Sequence, residues 1–285
     1  MDPSCLEFAL TDSEAATFER DGFLVVEDAL SDAKVAELSE LMDRLVASGG
    51  YTHTPHGARA GRVNAIDVAG LDPALIELVD HPRTLPKVWG ILGWNIHLYH
   101  SHYITAEQID RPSNGGAEAT LGWHQDSGQI NQDLETNPRP RLSLKVAYFL
   151  SDASEPDRGN FWVLPGSHLR NEIEVPASGR GQPDGAMPVC VSPGTAVLFD
   201  RRLWHAGSPN YAPIVRKALF YGYSHRWVHA RDEVTVPPDL WEAADPIRRQ
   251  LLGYSTSQHG RTSPTDEDVP LRGWLEQHQP ATAAR

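Results

Sequence analysis

Three residues in this chain have the types and order that ferrous chemistry needs: His124 and Asp126, separated by Gln125, and His205 well downstream. On an extended strand successive side chains alternate faces, so His124 and Asp126 share one face and Gln125 points away. Two imidazoles and one carboxylate form a facial triad, which occupies three sites of an octahedral Fe(II) and leaves three open for chemistry. Arg216 follows, offering a planar guanidinium fork suited to gripping the far carboxylate of a dicarboxylate cosubstrate. A His-x-Asp triplet alone is a weak signal; the second histidine, the arginine and their strand-like surroundings give it weight.

Those surroundings are short strands. Leu121-Gly122-Trp123 leads into the triplet, making 121–126 a strand. Pro193-Gly194 opens 195–200, and His205 falls in the next run, 203–207. Arg216 begins a β-rich segment over 216–226, and further strands are expected at 23–27, 95–105, 141–150, 160–164 and 188–192. Strands of this length, separated by Pro, Gly, Asn and Asp, predict a mainly β protein. Its expected form is a double-stranded β-helix (jelly roll, cupin-like) with flanking amino-terminal helices. Thr11 to Glu14 fits a capping box for a helix running to Asp21 and ended by Gly22. Ser31 caps a second, in which Val35, Leu38, Leu41, Met42 and Leu45 recur at helical spacing until Gly49-Gly50. Residues 73–79, 85–92 and 241–252 read as further helices, and the tail from Ser255 as loose. The chain is thus expected to be a single domain over 1–285, with helical support in 1–94, the jelly-roll core in 95–226 and a carboxyl-terminal helix and tail in 227–285. The polar segments 107–120, 127–140 and 170–187 read as lids or loops.

Several segments resemble the phytanoyl-CoA dioxygenase family of Fe(II)- and 2-oxoglutarate-dependent oxygenases. They are Trp123 to Ser127, Gly159 to His168, Trp204 to Asn210 with Arg216 to Ala218, and the opening strand Arg20 to Val26. The resemblance implies that His124, Asp126 and His205 hold Fe(II) as the catalytic set, and that Arg216 binds 2-oxoglutarate. It also implies that dioxygen is consumed and that an unactivated C–H bond of a small molecule is hydroxylated, with release of succinate and carbon dioxide. Desaturation, cyclisation or epimerisation would use the same residues. Relatives often place a serine two residues after the second histidine; here that position is Gly207, with Ser208 one later. A second polar contact to the cosubstrate commonly comes from the strand before the triplet, where Tyr103 is the first choice and Thr105 the second. Retention of Asp126 disfavours halogenation, which needs that position vacated by its carboxylate.

Other groups carry less. His97, His100 and His102 lie on one predicted strand without a nearby carboxylate or thiolate, and read as polar residues beside a site. His168 reads as shaping a turn, while His53, His56, Arg59 and Arg62 fall in a Gly- and Thr-rich stretch where solvated charge is the commoner role. Trp123 and Phe220 are candidates for the substrate pocket. Nucleotide-binding glycine patterns and the nucleophile-elbow serine are missing, and Cys5 and Cys190 lack zinc or redox spacing. A net charge of -13 argues against nucleic acid or an anionic membrane surface as partner, and against a CoA thioester. An amino-acid-like or natural-product small molecule is favoured instead. No apolar run is long enough to span a bilayer, and two cysteines with no signal-peptide layout suggest the cytoplasm. The rival to the oxygenase is a metal-binding, cupin-type protein without oxygenase activity, which has no reason to carry Arg216.

Overall fold

The structure, a computed structural model, describes residues 1–53, 62–112 and 119–283. Ten strands are found among them: β1 (Phe23–Val26), β2 (Thr52–His53), β3 (Asn64–Ile66), β4 (Ile96–Ala106), β5 (Ser143–Phe149), β6 (Phe161–Val163), β7 (Met187–Val189), β8 (Ala196–Asp200), β9 (His205–Gly207) and β10 (Arg216–His225). A seven-stranded sheet runs β1-β8-β5-β10-β4-β3-β2, and a three-stranded sheet runs β7-β6-β9. All pairings are antiparallel. This is the double-stranded β-helix expected from the sequence, with helices outside it.

Alternation along the central strands builds two cores. On β5, Leu144, Val146 and Tyr148 join Leu198, Leu219 and Tyr221 in a large apolar cluster with Leu38, Met42, Val88 and Trp89. Those last four come from the helices α2 (Asp32–Ser48) and α4 (Leu85–Leu92), preceded by α1 (Asp12–Asp21) and, between them, the single turn α3 (Pro73–Ile76). The other face carries Ala147, Phe149, Val197, Phe199, Ala218 and Phe220, packed with Phe161, Val163 and Val189 of the small sheet. The central strands β5 and β8 are therefore buried on both faces, β8 reading as a near-continuous apolar run.

Helix α1 starts with both halves of the capping box, Thr11 Oγ1 accepting from Glu14 N–H and the Glu14 carboxylate accepting from Thr11 N–H. It ends on Gly22 in the left-handed region (φ +83°). Three expectations need correction. Residues 121–126 form no continuous strand but a single antiparallel bridge, His124 to His205. The expected helix over 241–252 is two short ones, α6 (Pro238–Ala243) and α7 (Pro246–Leu251), because the Ala244-Asp245-Pro246 run breaks it and Asp245 caps the second. The tail is not loose: α8 (Pro270–His278) and α9 (Pro280–Ala283) follow, with Leu271 and Leu275 in the core. One more helix, α5 (Gly128–Asp133), stands inside the segment read as a loop just after the triplet.

Candidate metal centre and cosubstrate pocket

The bridge that replaces the expected strand is what joins the two histidines. His124 N–H donates to the His205 carbonyl and His205 N–H to the His124 carbonyl, each at 3.0 Å. Asp126 is fixed in turn by its own N–H donating to the Arg201 carbonyl at 2.9 Å, and by its carbonyl accepting from Asn131 of α5 at 2.8 Å. Gln125 faces the other way: its amide donates to the carbonyls of Arg170 and Arg202, and its oxygen accepts from Arg139. The alternation inferred from the triplet therefore holds locally.

Ligand atoms of His124, Asp126 and His205 lie within 4.8 Å of one another, the set among the described residues that could hold a metal. Each imidazole spends Nδ1 on a backbone carbonyl, His124 on Gly122 at 2.9 Å and His205 on Leu203 at 2.8 Å. A carbonyl can only accept, so both Nδ1 atoms carry the proton and both Nε2 atoms present lone pairs, the tautomer a metal requires. Burial pushes His205 down to about 3, which keeps it neutral. One carboxylate oxygen, Asp126 Oδ2, is buried without a hydrogen-bond partner. Two imidazole lone pairs and an orphaned carboxylate oxygen in one place fit a divalent iron.

The second oxygen of Asp126 is taken. Lys145 Nζ lies 3.0 Å from Oδ1, with the lysine side chain only 5% exposed. Burial acts to raise the Asp126 carboxyl, but the ammonium outweighs it and the group sits well below the usual carboxylate range. Lys145 alternates with Ala147 and Phe149 on the face of β5 that meets the small sheet. Sequence reasoning passed over it, although a lone lysine inside an apolar strand is a visible signal, since buried charge is costly unless paired.

Arg216 opens β10 and is 6% exposed. Its Nε donates to the Gly159 carbonyl at 3.1 Å, and its guanidinium lies 5.7 Å from the Phe149 ring centre and 6.0 Å from that of Phe220. A Cβ on Gly159 would stand 3.2 Å from Arg216 Cβ and Cγ, so the glycine makes room for the arginine. Among the described residues no acidic side chain pairs with this guanidinium; burial and the Arg62 charge lower it to about 10. A desolvated cation lacking a protein anion is a seat for an anionic ligand.

The Tyr103 hydroxyl is buried without a hydrogen-bond partner among the described residues; burial raises its pKa and the Arg216 charge acts to lower it. Tyr103 pairs across the sheet with Leu219, on the helix-packed face, and belongs to the larger core. By strand parity Arg216, Ala218 and Phe220 emerge on the opposite face. Thr105 accepts from Val63 N–H, and the Ser208 hydroxyl is spent on the Pro209 carbonyl at 3.2 Å. The residue of β4 that does face inward beside Phe220 is His102, its ring 4.6 Å from that of Phe220 and 4.3 Å from that of His100. His100 is held by the Asp232 carboxylate, to which Nδ1–H donates at 3.3 Å, and burial holds both imidazoles well below their ordinary value. His97 and His168 bond backbone carbonyls and are structural. Trp123 is half-buried and donates to Gln182. His56 and Arg59 lie outside the described residues, as does the side chain of His53.

A jelly roll with two histidines and an aspartate at one rim, and a buried arginine on the same inner surface, defines the class of iron- and 2-oxoglutarate-dependent oxygenases. The phytanoyl-CoA dioxygenase (PhyH) family model matches residues 18–218, and the chain belongs to that family. It is a 2-oxoglutarate-dependent dioxygenase that uses iron. Among curated relatives, the ectoine dioxygenase of Nocardia farcinica is 27% identical over 237 residues, covering 73% of this chain and 75% of that protein. Among solved structures, EctD from S. alaskensis with bound Fe superposes with a TM-score of 0.59 at 22% identity, covering 80% of this chain and 81% of that one. The epimerase SnoN in complex with Fe3+, alpha ketoglutarate and nogalamycin RO gives 0.59 at 21% identity over 86% and 94%. No helix among the described residues is long and apolar enough to cross a membrane.

Proposed function

We propose that His124, Asp126 and His205 bind Fe(II), that Arg216 binds the distal carboxylate of 2-oxoglutarate, and that the enzyme hydroxylates an unactivated C–H bond of a small, amino-acid-like or natural-product molecule in the cytoplasm. The observation that carries this reading is the pairing of a two-histidine, one-carboxylate donor set with a buried guanidinium that no acidic side chain of the described residues pairs, on one inner surface. When bound, iron and 2-oxoglutarate supply the oxidising power, dioxygen being reduced as the cosubstrate becomes succinate and carbon dioxide. The chain's own residues do the rest. Gly122 and Leu203 fix the histidine tautomers through their carbonyls. Arg216, oriented by Gly159 and clamped between Phe149 and Phe220, sets the direction in which the cosubstrate lies. The apolar inner face around Phe149, Phe161, Phe199 and Phe220 excludes water from the reacting centre.

Succinate formation in the presence of Fe(II), ascorbate and 2-oxoglutarate tests the assignment. Asp126→Ala and His205→Ala are expected to lose both iron binding and turnover. Arg216→Ala is expected to keep iron but to raise the 2-oxoglutarate requirement by ~2–3 kcal/mol, the worth of a charge-assisted bidentate contact. Parental cosubstrate dependence in that variant would remove the arginine from the scheme. Desaturation, cyclisation or epimerisation would place the same four residues in the same roles, and product analysis distinguishes them.

A further inference from the structure

Lys145 is the one buried group of the site whose presence the donor set does not explain. Its ammonium is desolvated on the strand face it shares with Ala147 and Phe149, with the His100 and His102 rings within electrostatic reach. Opposite it on β10 stands Gly222, and across β8 stands Phe199, so the strand register aims the lysine into the space between the sheets. Among the described residues its ion-pair partner is Asp126 and no other carboxylate. Among the described residues Asp126 in turn forms an ion pair with no other Lys or Arg, and its second oxygen has no hydrogen-bond partner.

We propose that Lys145 is a positioning residue that stands in for the charge of the metal. It holds Asp126 by Oδ1 so that Oδ2 remains the oxygen offered to the ion, and it keeps the metal-free site assembled. Its fixed positive charge then opposes an arriving divalent cation, so the site binds iron less tightly than its three ligands alone would allow. The inference rests on the assignment of His124, Asp126 and His205 as the metal ligands. A purely architectural lysine makes the opposite prediction, since loosening Asp126 weakens binding.

The test compares the full-length wild type with Lys145→Gln and Lys145→Arg. Glutamine can still donate to Oδ1 but carries no charge; arginine keeps both. Metal affinity is read by anaerobic Fe(II) titration and by the visible absorption of Co(II), and metal-free stability by thermal unfolding. Lys145→Gln is expected to unfold at lower temperature without metal and to bind either ion roughly tenfold more tightly or better. Lys145→Arg is expected to stay near the parental affinity. Equal or weaker binding by Lys145→Gln overturns the proposal while leaving the metal site intact. Failure of the wild type to bind either ion overturns the metal site itself, and this inference with it. Should Lys145→Gln prove too unstable to purify, adding Asp126→Asn must restore the metal-free fold, because both charges then leave together; no restoration also refutes the proposal.

Discussion

Gly222 shows how tightly single atoms are placed around the site. Its partner on β4 is His100, and the register then skips Tyr99, so Tyr99 and His100 together oppose one glycine in a β-bulge. A Cβ at Gly222 would lie 2.7 Å from the Tyr99 ring. Gly222→Ala is therefore expected to cost ~1–3 kcal/mol in chemical denaturation, the usual penalty of overpacking. The same position is Lys145's neighbour on β5, so the substitution should also disturb metal affinity. At this scale the triplet, the second histidine and Arg216 were legible because their chemistry is rare and their order informative. Lys145 and His102 were not singled out, since their value depends on which face of a strand meets which sheet. Tyr103 illustrates the same limit: one step along β4 reverses the side, and the sequence does not show where parity starts.

Elements were legible where local signals are strong. Both caps of α1 were readable, and Thr11→Ala is expected to destabilise the protein by ~1 kcal/mol in urea unfolding, a loss that a serine at this position should largely avoid. Strand β5 was expected over 141–150 and spans Ser143–Phe149. Residues 121–126 form no strand because His124 alone among them enters a β-bridge, with His205, and Ser127 at φ +66° turns the chain away at once into α5. Helix α8 went unseen although Pro270 opens it and Leu271, Trp274 and Leu275 have amphipathic helical spacing. Its start lies only a few residues beyond Thr262 to Asp268, a stretch without periodicity. That stretch is organised by the Asp268 carboxylate, which accepts from Thr256 and Thr265 N–H.

The molecule as a whole should weaken in mild acid. Burial lowers His81 and His97 to about 4. The unfolded chain, where histidine titrates near 6.5, then binds more protons than the native state below that pH. Stability from these two groups is complete above about 6.5 and declines as pH falls toward about 4. The unfolding free energy from denaturant titration is expected to drop by ~1–3 kcal/mol per histidine over that window, and His97→Gln should flatten the loss. A midpoint independent of pH there would contradict the burial of both rings.

The reciprocal backbone pair between His124 and His205 has a mechanical meaning. Together with the Asp126 N–H bond to the Arg201 carbonyl and the Gln125 amide bond to the Arg202 carbonyl, it fastens two distant points of the chain. An ion gripped by both side chains acts as a rivet through that seam. Chelators should therefore speed amide deuterium uptake at these two residues.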